Sequence, residues 1–224
     1  MRWTRLHEWE VTPEEGERIQ VSLAGRARSA EVHQPSESPL LLAGAAVAER
    51  AAAVVVLETK GWQVVEAKRI EVPCSSAEEL RYRRGLMAFT FGPPLLQVFE
   101  EIESSPDIVF FRAHGLAHPR RCGMATHLGL LLGVPSIGCA EKLLCGEYTP
   151  PGPHRGDWSP VTDESETVGT CVRTREGSKP VFVSPGYGLD VRGAVQMALQ
   201  CTVQHRWPEP LRQARLFARA GEAG

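Results

Sequence analysis

Three histidines in the stretch 106–146 are the first residues whose type suggests chemistry: His114, His118 and His127. Imidazoles bind metals and move protons near neutral pH. His114 and His118 stand four apart, but Gly115 and Pro119 break any helix that would put them on one face. The expectation is hydrogen-bonded structural histidines and no metal site. Arg120 and Arg121 follow, in what reads as the first turn of a helix. The helix dipole disfavours cations there unless an anion is bound. A phosphate contact is one reading, and two solvated arginines the other. A second segment, Arg81-Tyr82-Arg83-Arg84-Gly85, sets an aromatic among three cations. That suits stacking on a base with neutralisation of adjacent phosphates. A solvated basic loop has the same composition. A third, Lys179 to Gly188, is a strand running into a glycine-rich turn.

Strands and helices must position these residues. Residues 12–28 read as a helix, with Thr12 as N-cap, Pro13 in the first turn and Glu14, Glu15 and Glu17 at the positive end. Strands are predicted over Leu40–Ala45, Ala51–Glu58 and Trp62–Val72, the last two joined by the Thr59-Lys60-Gly61 turn. Leu95, Leu96, Phe99 and Ile102 recur at helical spacing within Leu86–Ser104. Ile108–Arg112 is nearly all apolar, as in a strand buried on both faces. A helix over Pro119–Leu132 and a strand over Pro135–Ala140 follow. Residues 149–160 hold four prolines and two glycines in twelve positions and read as a long loop. Strands at Thr167–Thr174 and Val181–Ser184, a helix at Val191–Thr202 and a tail helix within 205–224, with Leu211, Ala214 and Phe217 on one side, complete the chain. Alternating strands and helices predict a single α/β domain over 1–224. Carboxyl ends of buried strands are where such sheets build sites, so His114 and Gly115 mark the expected location.

The 224 residues are 42% hydrophobic and 23% charged with net charge −2, a composition for a packed core rather than disorder. Nucleic-acid contact must therefore come from a local patch. Apolar runs such as Ala51–Leu57 fall far short of the roughly 18 residues of a membrane span. The charged start predicts no signal peptide. Six cysteines at 74, 122, 139, 145, 171 and 201 show no C-x-x-C spacing, which suits reduced thiols in the cytoplasm.

The three segments together resemble the endonuclease V family, over about residues 12–218. That family reads Asp-Gly-His-Gly-x-x-His-Pro-Arg where this chain has His114, Gly115, His118, Pro119 and Arg120 in register. Its Pro-Tyr-Ile-Pro-Gly wedge falls on Arg81–Gly85, with Tyr82 and Gly85 matching and both prolines replaced by arginine. Its Ala-Gly-x-Asp-Val strand falls on Ala43–Val47. The resemblance implies a ribonuclease-H-like mixed sheet flanked by helices. It implies Mg²⁺-dependent cleavage of DNA or RNA one phosphodiester beyond inosine.

The resemblance also shows departures. The family's metal-binding aspartate falls on Ala46, its Phe-Arg-Glu glutamate on Phe91, and the aspartate before Gly-His-Gly on Arg112. Its late catalytic histidine falls on Tyr187. The lysine after the Gly-x-Ala strand falls on Glu141, with Lys142 adjacent. Mg²⁺ needs hard oxygen ligands, and a guanidinium ~4 Å from a divalent cation costs about 8 kcal/mol at an effective dielectric of about 20. Asp107 lies about 16 Å back along the strand from Arg112 and cannot substitute. The expectation is therefore a pseudoenzyme with no catalytic residue, no metal and no cofactor. It would bind nucleic acid through Arg81, Tyr82, Arg83, Arg84, Gly85, Arg112, His114, Gly115, Arg120 and Arg121. Two alternatives stand beside it: a nuclease rebuilt on Glu49, Glu141 and His114, or a regulatory protein that binds a protein partner. Arg112 has two readings, a direct phosphate ligand or an ion-pair partner of Glu141.

Overall fold

The computed structural model describes residues 1–33, 40–48, 50–72 and 84–220. In chain order its elements are α1 (Pro13–Arg28), β1 (Leu41–Ala48), β2 (Ala51–Glu58), β3 (Gln63–Glu71), α2 (Met87–Glu101), β4 (Ile108–Phe111), α3 (Met124–Leu132), β5 (Ser136–Ala140), β6 (Trp158–Asp163), β7 (Glu166–Val172), β8 (Val181–Pro185), α4 (Val191–Gln200) and α5 (Glu209–Arg219). The strands form one sheet in the order β3-β2-β1-β4-β5-β8-β7-β6. β1, β4 and β5 are parallel, and the outer strands pair antiparallel.

β4 lies at the centre with every residue buried. Val109 and Phe111 face Leu95, Leu96 and Phe99 of α2 and Leu128 and Leu131 of α3. Ile108 and Phe110 face α4 and Leu211 of α5 on the other side. Truncating either phenylalanine to alanine is expected to cost about 3–5 kcal/mol, so the end of β4 is a rigid platform. The entry to α5 sits directly on β1: a Cβ on Gly44 would lie 1.9 Å from the Pro210 carbonyl oxygen. Only glycine allows that approach, which carries the tail helix across the C-terminal half of β1.

The first helix forms as its capping signals predict. The Glu15 amide donates to Thr12 Oγ1 and the Thr12 amide to the Glu15 carboxylate. Two expectations need correction. The helix after β4 begins at Met124, with Gly123 as N-cap, not at Pro119. Residues 115–122 form irregular turns, with Arg121 at φ 55°, because their side chains are tied down individually, as shown below. The Pro/Gly-rich loop ends earlier than predicted, since Trp158, Ser159 and Pro160 open β6. β6 is an edge strand, where proline's missing amide leaves no ladder bond unmade. No helix among the described residues is long and apolar enough to cross a membrane. Cys122, Cys139, Cys145, Cys171 and Cys201 are free.

Candidate nucleic-acid interface

Beyond the end of β4 lies a cavity of about 400 Å³. Its wall is mainly apolar: Met87, Ala88 and Phe91 from α2, Ala113 after β4, Met124 from α3, and Leu143 and Leu144 after β5. Thr90, His114, His118, Lys142 and Arg84 supply polar groups. Thr90 Oγ1 and His114 Nδ1 are buried without a hydrogen-bond partner. Such orphan groups are costly unless a ligand or water completes them. Burial depresses the His114 imidazole to about 4, so it is neutral at pH 7. Gly115 is held by its amide, which donates to Ser184 Oγ at 2.9 Å.

His118 is a support rather than a reagent. Its Nε2 donates to the Gly85 carbonyl at 2.9 Å, and its Nδ1 accepts from the Arg120 amide at 3.1 Å. Burial depresses it to about 4, and both bonds fit a neutral ring. The fully buried Gln20 on α1 also donates to the Gly85 carbonyl, at 2.8 Å. Gly85 has φ 91°, and a Cβ there would meet His118 Nε2 at 3.0 Å. The residue that ends the basic segment is thus clamped between α1 and the turn after β4. Arg84 reaches over the cavity to donate to the Leu144 carbonyl at 2.7 Å. Arg81, Tyr82 and Arg83 lie outside the described residues, as does Glu49.

At the cavity's flank, Arg112 pairs with Glu141 at 2.5 Å. The ion-pair reading of Arg112 therefore describes its contact. The two residues follow β4 and β5, and the next residues, Ala113 and Lys142, line the cavity. The Arg112 guanidinium also lies 5.0 Å from the centre of the Trp207 ring, a cation–π contact. Where the resemblance expects an aspartate and a lysine, the charges are exchanged as a pair, and attraction between the strand ends is kept.

The donors do not fit a divalent cation. Ala46 is 3% exposed and packs with Val55, Leu57 and Ala214. Phe91 packs against the apolar core on one side and lines the cavity on the other. Glu141 is engaged by Arg112. No group of three or more His, Cys, Asp or Glu suited to a metal occurs among the described residues. Mg²⁺ requires carboxylate oxygens that this set lacks. Of the alternative site on Glu49, Glu141 and His114, Glu141 is taken up by Arg112, while the neutral His114 keeps a lone pair for a ligand or proton.

Arg120 and Arg121 are brought near the cavity but are held by other partners. Arg120 donates to Gln20 Oε1 at 2.7 Å and pairs with Glu17 at 3.1 Å. Arg121, 12% exposed, bridges Asp163 at 2.6 Å and Glu166 at 2.8 Å and donates to the His118 carbonyl. These contacts tie the turn after β4 to α1 and to the β6–β7 hairpin. Tyr187 exchanges hydrogen bonds with Ser136 at the start of β5, the opposite end of that strand from Glu141.

Sequence reasoning overlooked two groups. Arg206 and Trp207 sit before α5, and the Arg206 guanidinium lies 5.3 Å from the same indole that Arg112 covers. Arginines at 212, 215 and 219 recur at helical spacing, a signal hidden behind the apolar stripe of that helix. The N-terminal segment was also unread. His7 and His127 meet Nε2 to Nε2 at 2.6 Å, boxed by Trp9 and Phe89.

Comparison with known proteins bears directly on this site. A family model described as Endonuclease V matches residues 34–216. Endonuclease V of Methanothrix thermoacetophila is 40% identical over 222 residues, covering 97% of this chain and 96% of the relative. That of Dehalococcoides mccartyi is 40% identical over 220 residues, covering 96% of each. The solved endonuclease V of Streptomyces avermitilis superposes with a TM-score of 0.83 at 33% identity, over 99% of this chain and 98% of that one. Endonuclease V of Ciona intestinalis was solved with a 23-mer DNA containing an inosine followed by a ribo-adenosine. It superposes with a TM-score of 0.77 at 20% identity, covers 94% of this chain and 98% of its own, and shares the fold. The expected ribonuclease-H-like mixed sheet is the arrangement observed.

Proposed function

Since this chain belongs to the endonuclease V family, we propose that it binds inosine-bearing nucleic acid without metal-dependent cleavage. The observation that carries this reading is the Arg112–Glu141 ion pair beside the cavity. It puts a paired cation where the family resemblance calls for a metal-binding carboxylate. Water activation by Mg²⁺ has no ligand set at Ala46, Phe91 and Arg112. The recognition half of the site is better supported. A cavity of about 400 Å³, apolar with a few convergent polar groups, suits an extruded base. The neutral His114 and the Thr90 hydroxyl each can donate or accept, and His114 Nδ1 and Thr90 Oγ1 have no partner within the protein. The relative from Ciona intestinalis, solved on inosine-containing DNA, supports DNA as one ligand, and RNA remains the other.

The test is fluorescence anisotropy with single-stranded DNA and RNA oligonucleotides bearing one inosine or one adenosine, in EDTA and in Mg²⁺. The reading predicts tighter binding of inosine and equal affinity in both buffers. Thr90→Val is expected to reduce the preference for inosine. Affinity that appears only with Mg²⁺, or no affinity for any oligonucleotide, contradicts the reading.

A further inference from the structure

We propose that Arg112 and Arg206, packed on Trp207 where β4 ends, form with Arg215 of α5 a metal-free site for a phosphate ester. The site rests on the nucleic-acid reading only for the source of that phosphate.

The side chains at this flank form a cluster of positive charge. Arg112 and Arg206 pack on one indole ring, at 5.0 and 5.3 Å from its centre. Arg215 follows Ala214, which packs against Ala46 of β1, the strand paired with β4. Against three guanidiniums stands one carboxylate, Glu141, already paired with Arg112. Among the described residues, neither Arg206 nor Arg215 has an acid within 4.0 Å. Arg206 donates once, to the Pro180 carbonyl at 2.9 Å, while its Nε is buried without a partner. A buried cationic N–H with no acceptor is a donor in want of an anion. Burial, with repulsion from Arg112 and against the pull of Glu141, holds Arg206 and Arg215 below the ordinary guanidinium range. Cations crowded in this way are relieved by an anion between them.

Phosphate is the anion whose geometry fits. Guanidinium forks bind phosphate oxygens in pairs, and a phosphate bound by arginines needs no bridging metal. The cluster also lies in the right place. Ala113 and Lys142, the residues after Arg112 and Glu141, line the cavity. A nucleotide with its base in that cavity carries its phosphate toward this flank.

Two readouts, both in EDTA, test the proposal on the full chain and on an Arg206→Gln/Arg215→Gln double variant. In the first, inorganic phosphate and inosine 5′-monophosphate are titrated during thermal unfolding, with chloride at matched ionic strength as control. The wild type is expected to gain several degrees over the chloride control and the double variant none. Equal gains in both proteins overturn the proposal. In the second, binding of an inosine-containing single strand is measured against salt. Each arginine removed is expected to lower the slope of log K against log salt by about 0.7. Arg215→Lys, which keeps the charge, is expected to keep the slope. An unchanged slope in double-variant protein that melts like the wild type overturns the site and leaves the nucleic-acid reading standing. A phosphate response that needs these arginines, with no oligonucleotide binding, supports the site and removes that reading.

Discussion

Mild acid is expected to unfold this protein through its buried imidazoles. Burial depresses His114 and His118 to about 4 and His127 to about 3. In the unfolded chain each returns to about 6.5. As pH falls through that value the unfolded state takes up protons that the folded state refuses. Stability is therefore complete above about 6.5 and drains away toward pH 4. Near pH 5.5 each ring contributes a slope of about 1.2 kcal/mol per pH unit, so three give about 3–4. Domains of this kind are stable by about 5–15 kcal/mol, so one or two pH units remove much of the margin. Carboxylates, with ordinary values near 4, add little in this window. The assay is urea unfolding followed by tryptophan fluorescence at pH 7.5, 6.5 and 5.5 and constant ionic strength. His118→Gln, which can still donate to the Gly85 carbonyl, is expected to lower the slope by about one third. Stability that stays level from pH 7.5 to 5.5 would refute the account of these rings as neutral and buried.

Other perturbations separate structural arginines from ligand-binding ones. In a double-mutant cycle, Arg112→Ala and Glu141→Ala are expected to couple by about 0.5–1 kcal/mol, because Glu141 is 46% exposed. A coupling of zero in thermal unfolding would mean the pair does not persist in solution. Arg121→Ala, which strands Asp163 while Glu166 keeps its pair with Arg28, is expected to destabilise by about 1–3 kcal/mol and to leave the salt slope of oligonucleotide binding unchanged. A smaller slope in a stable Arg121 variant would instead make that residue a phosphate contact. In the basic segment outside the described residues, Tyr82→Ala is expected to weaken oligonucleotide binding by about 1–3 kcal/mol. Unchanged affinity there and in Arg81, Arg83 and Arg84 variants would reduce the segment to a solvated loop.

The fold was legible where local signals and burial agree. Thr12 with Glu15 announced α1, and the apolar run Ile108–Phe111 announced a central strand. The start of α3 was misread because Pro119 is a good first-turn residue, yet long-range ties of Arg120 to α1 and Arg121 to the β6–β7 hairpin hold the chain in irregular turns. Spacing carries no trace of such ties. Trp158–Pro160 was hidden in β6 because proline reads as a breaker everywhere except a sheet edge. At the site, His114 and Gly85 were legible by type and neighbourhood. The ion pair of Arg112 with Glu141 was legible only as one of two readings. Arg206 and Arg215 were not, because the sheet order brings α5 back onto β1 and so joins residues about a hundred positions apart.

Recognition of inosine without cleavage can be seen in one reaction. Its most direct test is a single gel experiment on protein made in a host that lacks its own family member. A labelled oligonucleotide with one inosine is incubated in Mg²⁺ or Mn²⁺, and each reaction is split between native and denaturing lanes. The account predicts a retarded band in the native lanes and intact strands in the denaturing lanes. A metal-dependent product one phosphodiester beyond the inosine would contradict it.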